Sequence, residues 1–225
     1  MRRFQTLLLD LDDTLYPADS GVWEAIGERI NAFMVERVGI DPGEAPRLRQ
    51  MYFREYGTSL NGLRRLHGAD PLEYLRYVHD IRLEHYLAPD PDLRRMLERL
   101  AVPPVVFTNA DQAHARRVLG ILGVDDLVPR IVDIVALEWV NKPEPEAYRR
   151  AMRLCGQTDP RACLVVDDQI RNLRPAAELG MGTVLVGRER SQGVDFVISR
   201  AADLLLAVPQ LARRQGEVSD RAAAG

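Results

Sequence analysis

Short apolar runs recur along this chain at residues 4–9, 104–107, 131–135, 162–166 and 183–186, most of them rich in β-branched residues. Runs of this length without polar alternation read as strands buried on both faces. The segments between them have helical texture. Asp90 and Pro91 read as N-cap and first residue of a helix running to Leu100, and further helices are predicted over 111–123, 145–155 and 172–179, the last stopped by Gly180. Strand and helix in repeated alternation predict an α/β fold: a doubly wound parallel sheet with helices on both faces.

Residues 17–87 break the pattern. Val22, Ile26, Ile30, Phe33 and Met34 recur at helical spacing until Gly39, and helices are predicted over 42–56, 59–67 and 71–86, the last opened by Asp70 and Pro71. An insert this long after a first strand far exceeds the ordinary crossover between parallel strands. The chain therefore divides into a core of residues 1–16 and 88–212, an inserted α-helical cap subdomain over 17–87, and an alanine-rich tail over 213–225 expected to fray.

Composition narrows the function. With 225 residues, 46% hydrophobic content and a net charge of -3, the chain can bury a full core yet has neither the basic footprint of a nucleic-acid polymer binder nor an acidic tail. No apolar stretch is long enough to span a membrane. Cys155 and Cys163 are the only cysteines, and the opening MRRFQTLLLDLDD lacks a small-residue cleavage site, so a reducing cytoplasmic location is expected.

Ligands of open parallel sheets bind beyond the carboxyl ends of the strands. The first strand ends in Asp10 and Asp12 with Thr14 following; the second ends in Thr108 and Asn109; the segment after the third leads to Lys142; the fourth ends in Asp167 and Asp168. Each alone reads as a cap or a solvated side chain. Together, at one end of one sheet, they describe a site for phosphate and Mg²⁺, with carboxylates for the cation and an ammonium and backbone N–H groups for the phosphate. Two carboxylates offset by one residue can divide nucleophilic attack from proton transfer.

In DLDDT (10–14), FTN (107–109), NKPEPEAY (141–148) and VVDD (165–168), the chain resembles the haloacid dehalogenase (HAD) superfamily of phosphohydrolases, whose core is Rossmann-like. The resemblance implies Asp10 as nucleophile, forming an aspartyl phosphate, and Asp12 as general acid and then base. It implies Mg²⁺ held by the Asp10 carboxylate, the Asp12 backbone carbonyl and chiefly Asp168, with Asp167 supporting. Thr108, the Asn109 N–H and Lys142 would grip the phosphoryl oxygens. The second acid, Asp12, speaks against halide chemistry, because halide leaves without a proton.

LDLDDTLYP (9–17), MYFREYGTSLNGL (51–63), YLRYVHD (74–80) and FTNADQAHARRVLGILG (107–123) resemble the pyrimidine 5'-nucleotidase subfamily. That implies a nucleoside monophosphate as the small phosphorylated substrate. Tyr52, Tyr56, Asn61, Arg64 and His67 offer rings and donors for a base, and Tyr16 reads as a hinge. Gln169 stands where many relatives carry a small residue, and Asp111 adds an acid near the phosphate cradle that would repel a second phosphate. Alternatives are a phosphatase of another small metabolite, a phosphomutase and, outside enzymes, a phospho-receiver signalling domain, for which the third strand offers Asp133.

Overall fold

Thr6–Leu9 (β1), buried along its whole length, runs up the middle of a parallel sheet. Pro104–Phe107 (β2), Arg130–Val132 (β3), Cys163–Asp167 (β4), Gly182–Val186 (β5) and Phe196–Ile198 (β6) complete it in the order β3-β2-β1-β4-β5-β6. The molecule is seen as a computed structural model that describes residues 3–187 and 192–213. Strand order reverses at β1, so its carboxyl end opens onto the crevice where such sheets bind ligands.

Successive residues of a strand point to opposite faces, and both faces here are apolar. Leu8, Val105, Phe107 and Val165 pack with Tyr148, Ala151 and Leu173 from Pro145–Leu154 and Ile170–Glu178. Leu7, Leu9, Val106 and Val166 pack with Leu93, Val118 and Leu204 from helices on the other side. This double burial is why the strands read as unbroken apolar runs rather than alternating ones.

The helices in chain order are Val22–Glu36 (α1), Ala45–Tyr56 (α2), Ser59–His67 (α3), Pro71–Val78 (α4), Pro91–Glu98 (α5), Gln112–Leu122 (α6), Pro145–Leu154 (α7), Ile170–Glu178 (α8) and Leu204–Ala207 (α9). Helices α1 to α4 pack on one another. Val22, Ile26, Ile30, Phe33 and Met34 are all buried on α1, and Asp70 caps α4 by accepting from Glu73 N at 2.8 Å. Asp90 caps α5 through two 2.9 Å bonds. At Gly57, with φ +81, a Cβ would lie 2.0 Å from Asn141 Nδ2 and 3.1 Å from the Lys142 carbonyl. Only glycine lets the α2–α3 turn approach the Lys142 loop so closely.

Several boundaries differ from expectation. The strand expected over 131–135 ends at Val132, because the Asp133 carboxylate turns back to bind Gln112 N at 2.9 Å and Ala136 N at 2.8 Å. The helix expected over 71–86 stops at Val78; beyond it, Arg117 takes the His79 and Ile81 carbonyls at 2.8 and 2.6 Å. The helix expected from residue 42 begins at Ala45, the one expected from 172 begins at Ile170, and β1 begins at Thr6 rather than residue 4. Strand β6 was not anticipated, being three residues long and paired to β5 alone. Of the tail expected at 213–225, Arg213 is tied to the Arg99 carbonyl at 2.9 Å, and the rest lies outside the described residues. Cys155 and Cys163 are free thiols. Among the described residues no helix is long and apolar enough to cross a membrane.

Candidate active site

Register builds the centre of the site. Leu9 pairs with Val106 on one side and Val166 on the other, and Asp10 N donates to the Val166 carbonyl at 2.9 Å. The next step along the strands therefore brings Asp10 beside Asp167. Lys142, 2% exposed, completes the group: its Nζ lies 2.7 Å from Asp10 Oδ1 and 2.7 Å from Asp167 Oδ2. A buried ammonium persists only when paired. Burial alone would pull Lys142 down, but Asp10 and Asp167 outweigh it and hold the ammonium above its ordinary range.

Asp167 is saturated. Beyond Lys142 it accepts from Gln169 N at 2.8 Å and from Asn172 Nδ2 at 3.0 and 3.1 Å. Asp168 is half-buried, and burial followed by the Asp167 charge raises it to about 6. Burial pushes Asp10 well up too; Lys142 opposes this, while Asp167 and Asp168 add to it. Thr14 knits the cluster together, its Oγ1 lying 3.3 Å from both Asp10 Oδ2 and Asp168 Oδ1 while accepting from Asp168 N at 3.1 Å.

Asp10, Asp167 and Asp168 each present an oxygen, all within 4.8 Å of one another. The cluster holds more negative charge than Lys142 balances, and its ligands are hard oxygens. That donor set fits a cation such as Mg²⁺ and not a thiolate or imidazole metal. The Asp12 main-chain carbonyl accepts no hydrogen bond among the described residues, which leaves it open as a further oxygen ligand.

Asp12 faces a different set of partners. Its Oδ1 accepts from the Tyr16 hydroxyl at 2.7 Å and lies 2.8 Å from His114 Nε2. Burial works to raise it, yet His114 and then the Tyr16 phenol prevail and hold it at about 2. Tyr16, read as a hinge, is thus a direct partner of the second acid. His114 stacks on His79 with ring centroids 4.1 Å apart, and His79 Nδ1 lies 2.9 Å from Asp111 Oδ1. Burial and His114 together lower His79. The two histidines were not foreseen, although both fall inside quoted motifs. Asp111, expected as a charge near the phosphate cradle, caps α6 by accepting from His114 N at 3.2 Å and does not itself line the cavity.

Thr108 and Asn109, expected to form the phosphate cradle, both line the cavity. Thr108 Oγ1 accepts from Ala110 N at 3.0 Å, and the Asn109 N–H has no partner among the described residues. The Asn109 side chain accepts from Lys142 N at 2.8 Å and donates to the Lys142 carbonyl at 3.1 Å, fixing the lysine's backbone from both sides. Gln169 lines the cavity and donates from its side chain to Asp168. Asp133, the acid that a receiver reading needs, is spent on the backbone N–H groups of Gln112, at the start of α6, and of Ala136 in its own loop.

The expected base-reading residues lie elsewhere. A cavity of about 560 Å³ opens between the sheet end and α1 to α4, and Tyr52, Tyr56, Asn61 and Arg64 do not line it. Tyr52 packs inside the α2–α3 seam with its hydroxyl 2.8 Å from His67 Nε2 and its ring edge-on to Tyr56. Asn61, fully buried, donates to the Trp139 carbonyl at 3.0 Å and to the Asn141 side chain. Arg64 bonds Asn61 Oδ1 at 3.1 Å and sits over Trp139. Rings and donors at helical spacing serve here to join helices to each other and to the Lys142 loop. The cavity is lined instead by Trp23, Ile26, Ile30, Arg49, Phe53 and Tyr74, among others, and Arg171 bridges its wall to the Phe53 and Gly57 carbonyls at 3.0 and 3.3 Å.

Known proteins resemble this chain in sequence and in fold. Phosphate metabolism protein 8 of Saccharomyces cerevisiae is 31% identical over 195 residues, 80% of this chain; the match spans 61% of the yeast protein's own length. Glyceraldehyde 3-phosphate phosphatase of Methanopyrus kandleri is 28% identical over 93% of this chain and 99% of its own. A solved HAD phosphatase from Thermococcus onnurineus superposes with a TM-score of 0.64 at 19% identity, covering 94% of this chain and 100% of that one. Dehalogenases share the fold as well, so architecture alone does not choose the chemistry. The family model for haloacid dehalogenase-like hydrolases matches residues 4–180, and the chain belongs to that family of enzymes.

Proposed function

We propose that this hydrolase is a Mg²⁺-dependent phosphomonoesterase working through an aspartyl phosphate on Asp10, with residues 17–87 serving as a cap over a core of 1–16 and 88–212. An Asp10 oxygen bonds to phosphorus as the bond from phosphorus to the alcohol oxygen breaks. Asp12 protonates the departing alkoxide, then takes a proton from the water that attacks the aspartyl phosphate, and inorganic phosphate leaves. At about 2, Asp12 rests ionised, the form this second step requires. A dianionic phosphoryl group docking beside it raises its proton affinity for the first step. Lys142, Thr108 and the Asn109 N–H stabilise charge on the non-bridging oxygens. Asp10, Asp168 and the Asp12 carbonyl, supported by Asp167, would hold Mg²⁺, which when bound supplies positive charge against the phosphoryl group.

The observation that carries this reading is Lys142 Nζ, buried and 2.7 Å from both Asp10 and Asp167, in a cluster of three acids to one ammonium. The archaeal relative's name, a phosphatase, agrees with it. Asp10→Asn is expected to abolish phosphate release from p-nitrophenyl phosphate, and so is removal of Mg²⁺; turnover retained by Asp10→Asn overturns the mechanism. A single turnover that releases phosphate without an isomerised sugar phosphate excludes a phosphomutase.

Within small phosphorylated metabolites we favour a nucleoside 5'-monophosphate with a pyrimidine base. A cavity of about 560 Å³ with Trp23, Phe53 and Tyr74 in its wall supports a body of that size with a flat ring. A triose phosphate is the second reading, favoured by the archaeal relative alone. A flat profile across nucleoside monophosphates and sugar phosphates would overturn the nucleotide reading and leave the phosphatase standing.

A further inference from the structure

The four acids that line the cavity, Asp10, Asp12, Asp13 and Asp168, all belong to the sheet end. The helical end contains a cation with nothing to balance it. Arg49, on α2 and half-buried, lines the cavity, and its guanidinium makes no ion pair, hydrogen bond or ring contact among the described residues. Arg171 in the same wall is committed to two carbonyls and to the Phe53 ring at 4.2 Å. Nor does the Arg49 side chain lie loose on the surface. It rests on the backbone of α1 at Gly27, where a Cβ would fall 1.9 Å from its Nη1.

Tyr74 of α4 is the second anomaly. It is 5% exposed and lines the same cavity. The other buried tyrosines all engage their hydroxyls: Tyr16 with Asp12, Tyr52 with His67 and Tyr148 with the Asn172 carbonyl. The Tyr74 hydroxyl has no partner among the described residues, and it is close enough to feel the Arg49 charge, which draws its proton affinity down against burial. A phenol and a guanidinium at one place, both without acceptors, leave a deficit of acceptor oxygens. Around them Ile26, Ile30, Leu75 and Val78 supply apolar wall.

We infer that the helical end of the cavity is a recognition site for an acceptor oxygen, anionic or carbonyl, carried at the far end of an apolar body whose near end is the scissile phosphate. Arg49 and Tyr74 are its donors. The inference rests on the phosphatase reading and narrows it to substrates with two polar ends and an apolar middle; the carbonyl edge of a pyrimidine on its sugar is one such arrangement. It excludes simple alkyl phosphates as good substrates, because they leave both donors dry.

The test uses matched pairs of graded length: butyl, hexyl and octyl phosphate, each against the same chain ending in a carboxylate. At one length the wild-type enzyme should prefer the carboxylate by about ten- to a hundredfold in kcat/KM, the factor for one charged hydrogen bond, and the difference should lie in KM. Arg49→Met should bring that ratio close to one, Tyr74→Phe should reduce it in part, and Arg49→Lys, which keeps a donor and a charge, should retain part. Each ratio is measured on one preparation, so a smaller folded fraction cancels. No preference at any length, or a preference that survives Arg49→Met, overturns the site. Failure of the wild-type enzyme to hydrolyse any of these esters or p-nitrophenyl phosphate overturns the phosphatase reading itself.

Discussion

Asp12 Oδ1 and His114 Nε2 lie 2.8 Å apart although 102 residues separate them in the chain. With the Tyr16 hydroxyl on the same oxygen, the carboxylate is held in one orientation at the edge of the Asp10 cluster. His114 is in turn held by its stack on His79 and by Asp111 at the helix N-terminus. If Asp12 is the acid and base proposed above, His114 would act through it, as a positioning residue.

His114→Ala should therefore lower kcat by about ten- to a hundredfold, the scale of a misplaced catalytic group, with little change in KM. With its main opposition to burial removed, Asp12 rises from about 2. Its ionised form is then lost at higher pH, so the acid limb of the kcat profile should move upward. His114→Asn, which retains a donor, should recover part of the rate. An unchanged kcat and acid limb in His114→Ala would show that the contact does nothing for the reaction.

That Asp10, Thr108, Lys142 and Asp168 meet at one end of the sheet was legible because strand ends are local features. An apolar run stopping at Asp10, Thr108 or Asp168 declares both the element and the polar groups at its tip. The histidines behind Asp12 were not legible, since they depend on the rotation of the first turn of α6 and on where α4 stops at Val78. The substrate wall failed for another reason. Ile26 and Ile30 were read as helix core, which their burial agrees with, yet they also face the cavity. Tyr52 and Asn61, chosen for their chemistry, turned out to join helix to helix and helix to loop. Periodicity shows which residues share a face, not what that face meets.

Asn61 offers a direct check on that correction. Its amide binds Trp139 and Asn141, fully buried. Asn61→Ala strands those acceptors and should cost about 1–3 kcal/mol of stability, read as a lower midpoint in urea unfolding. The ratio of kcat/KM between pyrimidine and purine nucleoside monophosphates should stay as in the wild type. A changed ratio would return Asn61 to the substrate.

Lys142 carries a larger penalty. Lys142→Met leaves Asp10 and Asp167 buried without their shared cation, and breaking such a pair from one side costs about 3–5 kcal/mol. Adding Asp167→Asn removes one of the stranded charges, so the double variant should regain much of the stability. Turnover should not return with it, because the charge that faces the phosphoryl group is still missing. Denaturant melts beside phosphate-release rates separate the two effects; recovery of activity in the double variant would count against the role of Lys142 in catalysis.

The excess of carboxylate also sets a pH dependence. Burial, then Asp168 and Asp12, raises Asp13 to about 7, and burial with Asp167 raises Asp168 to about 6, both from an ordinary 3.8. Folded values above unfolded ones mean that the folded state keeps protons the unfolded chain has released. Their stabilisation is complete below 3.8 and is lost as pH rises through about 6 to 7. His79, lowered from 6.5, works in the opposite sense, but only where the unfolded histidine titrates, so the carboxylates govern the range above about 6.5. In EDTA the melting temperature should accordingly fall between about pH 6.5 and 8. A divalent cation held by Asp10 and Asp168 takes the place of the Asp168 proton, so Mg²⁺ should raise the melting temperature more at about pH 8 than at pH 6.5. A melting temperature that climbs over this range in EDTA, or a Mg²⁺ effect that shrinks with pH, would mean that Asp168 does not belong to a cation site.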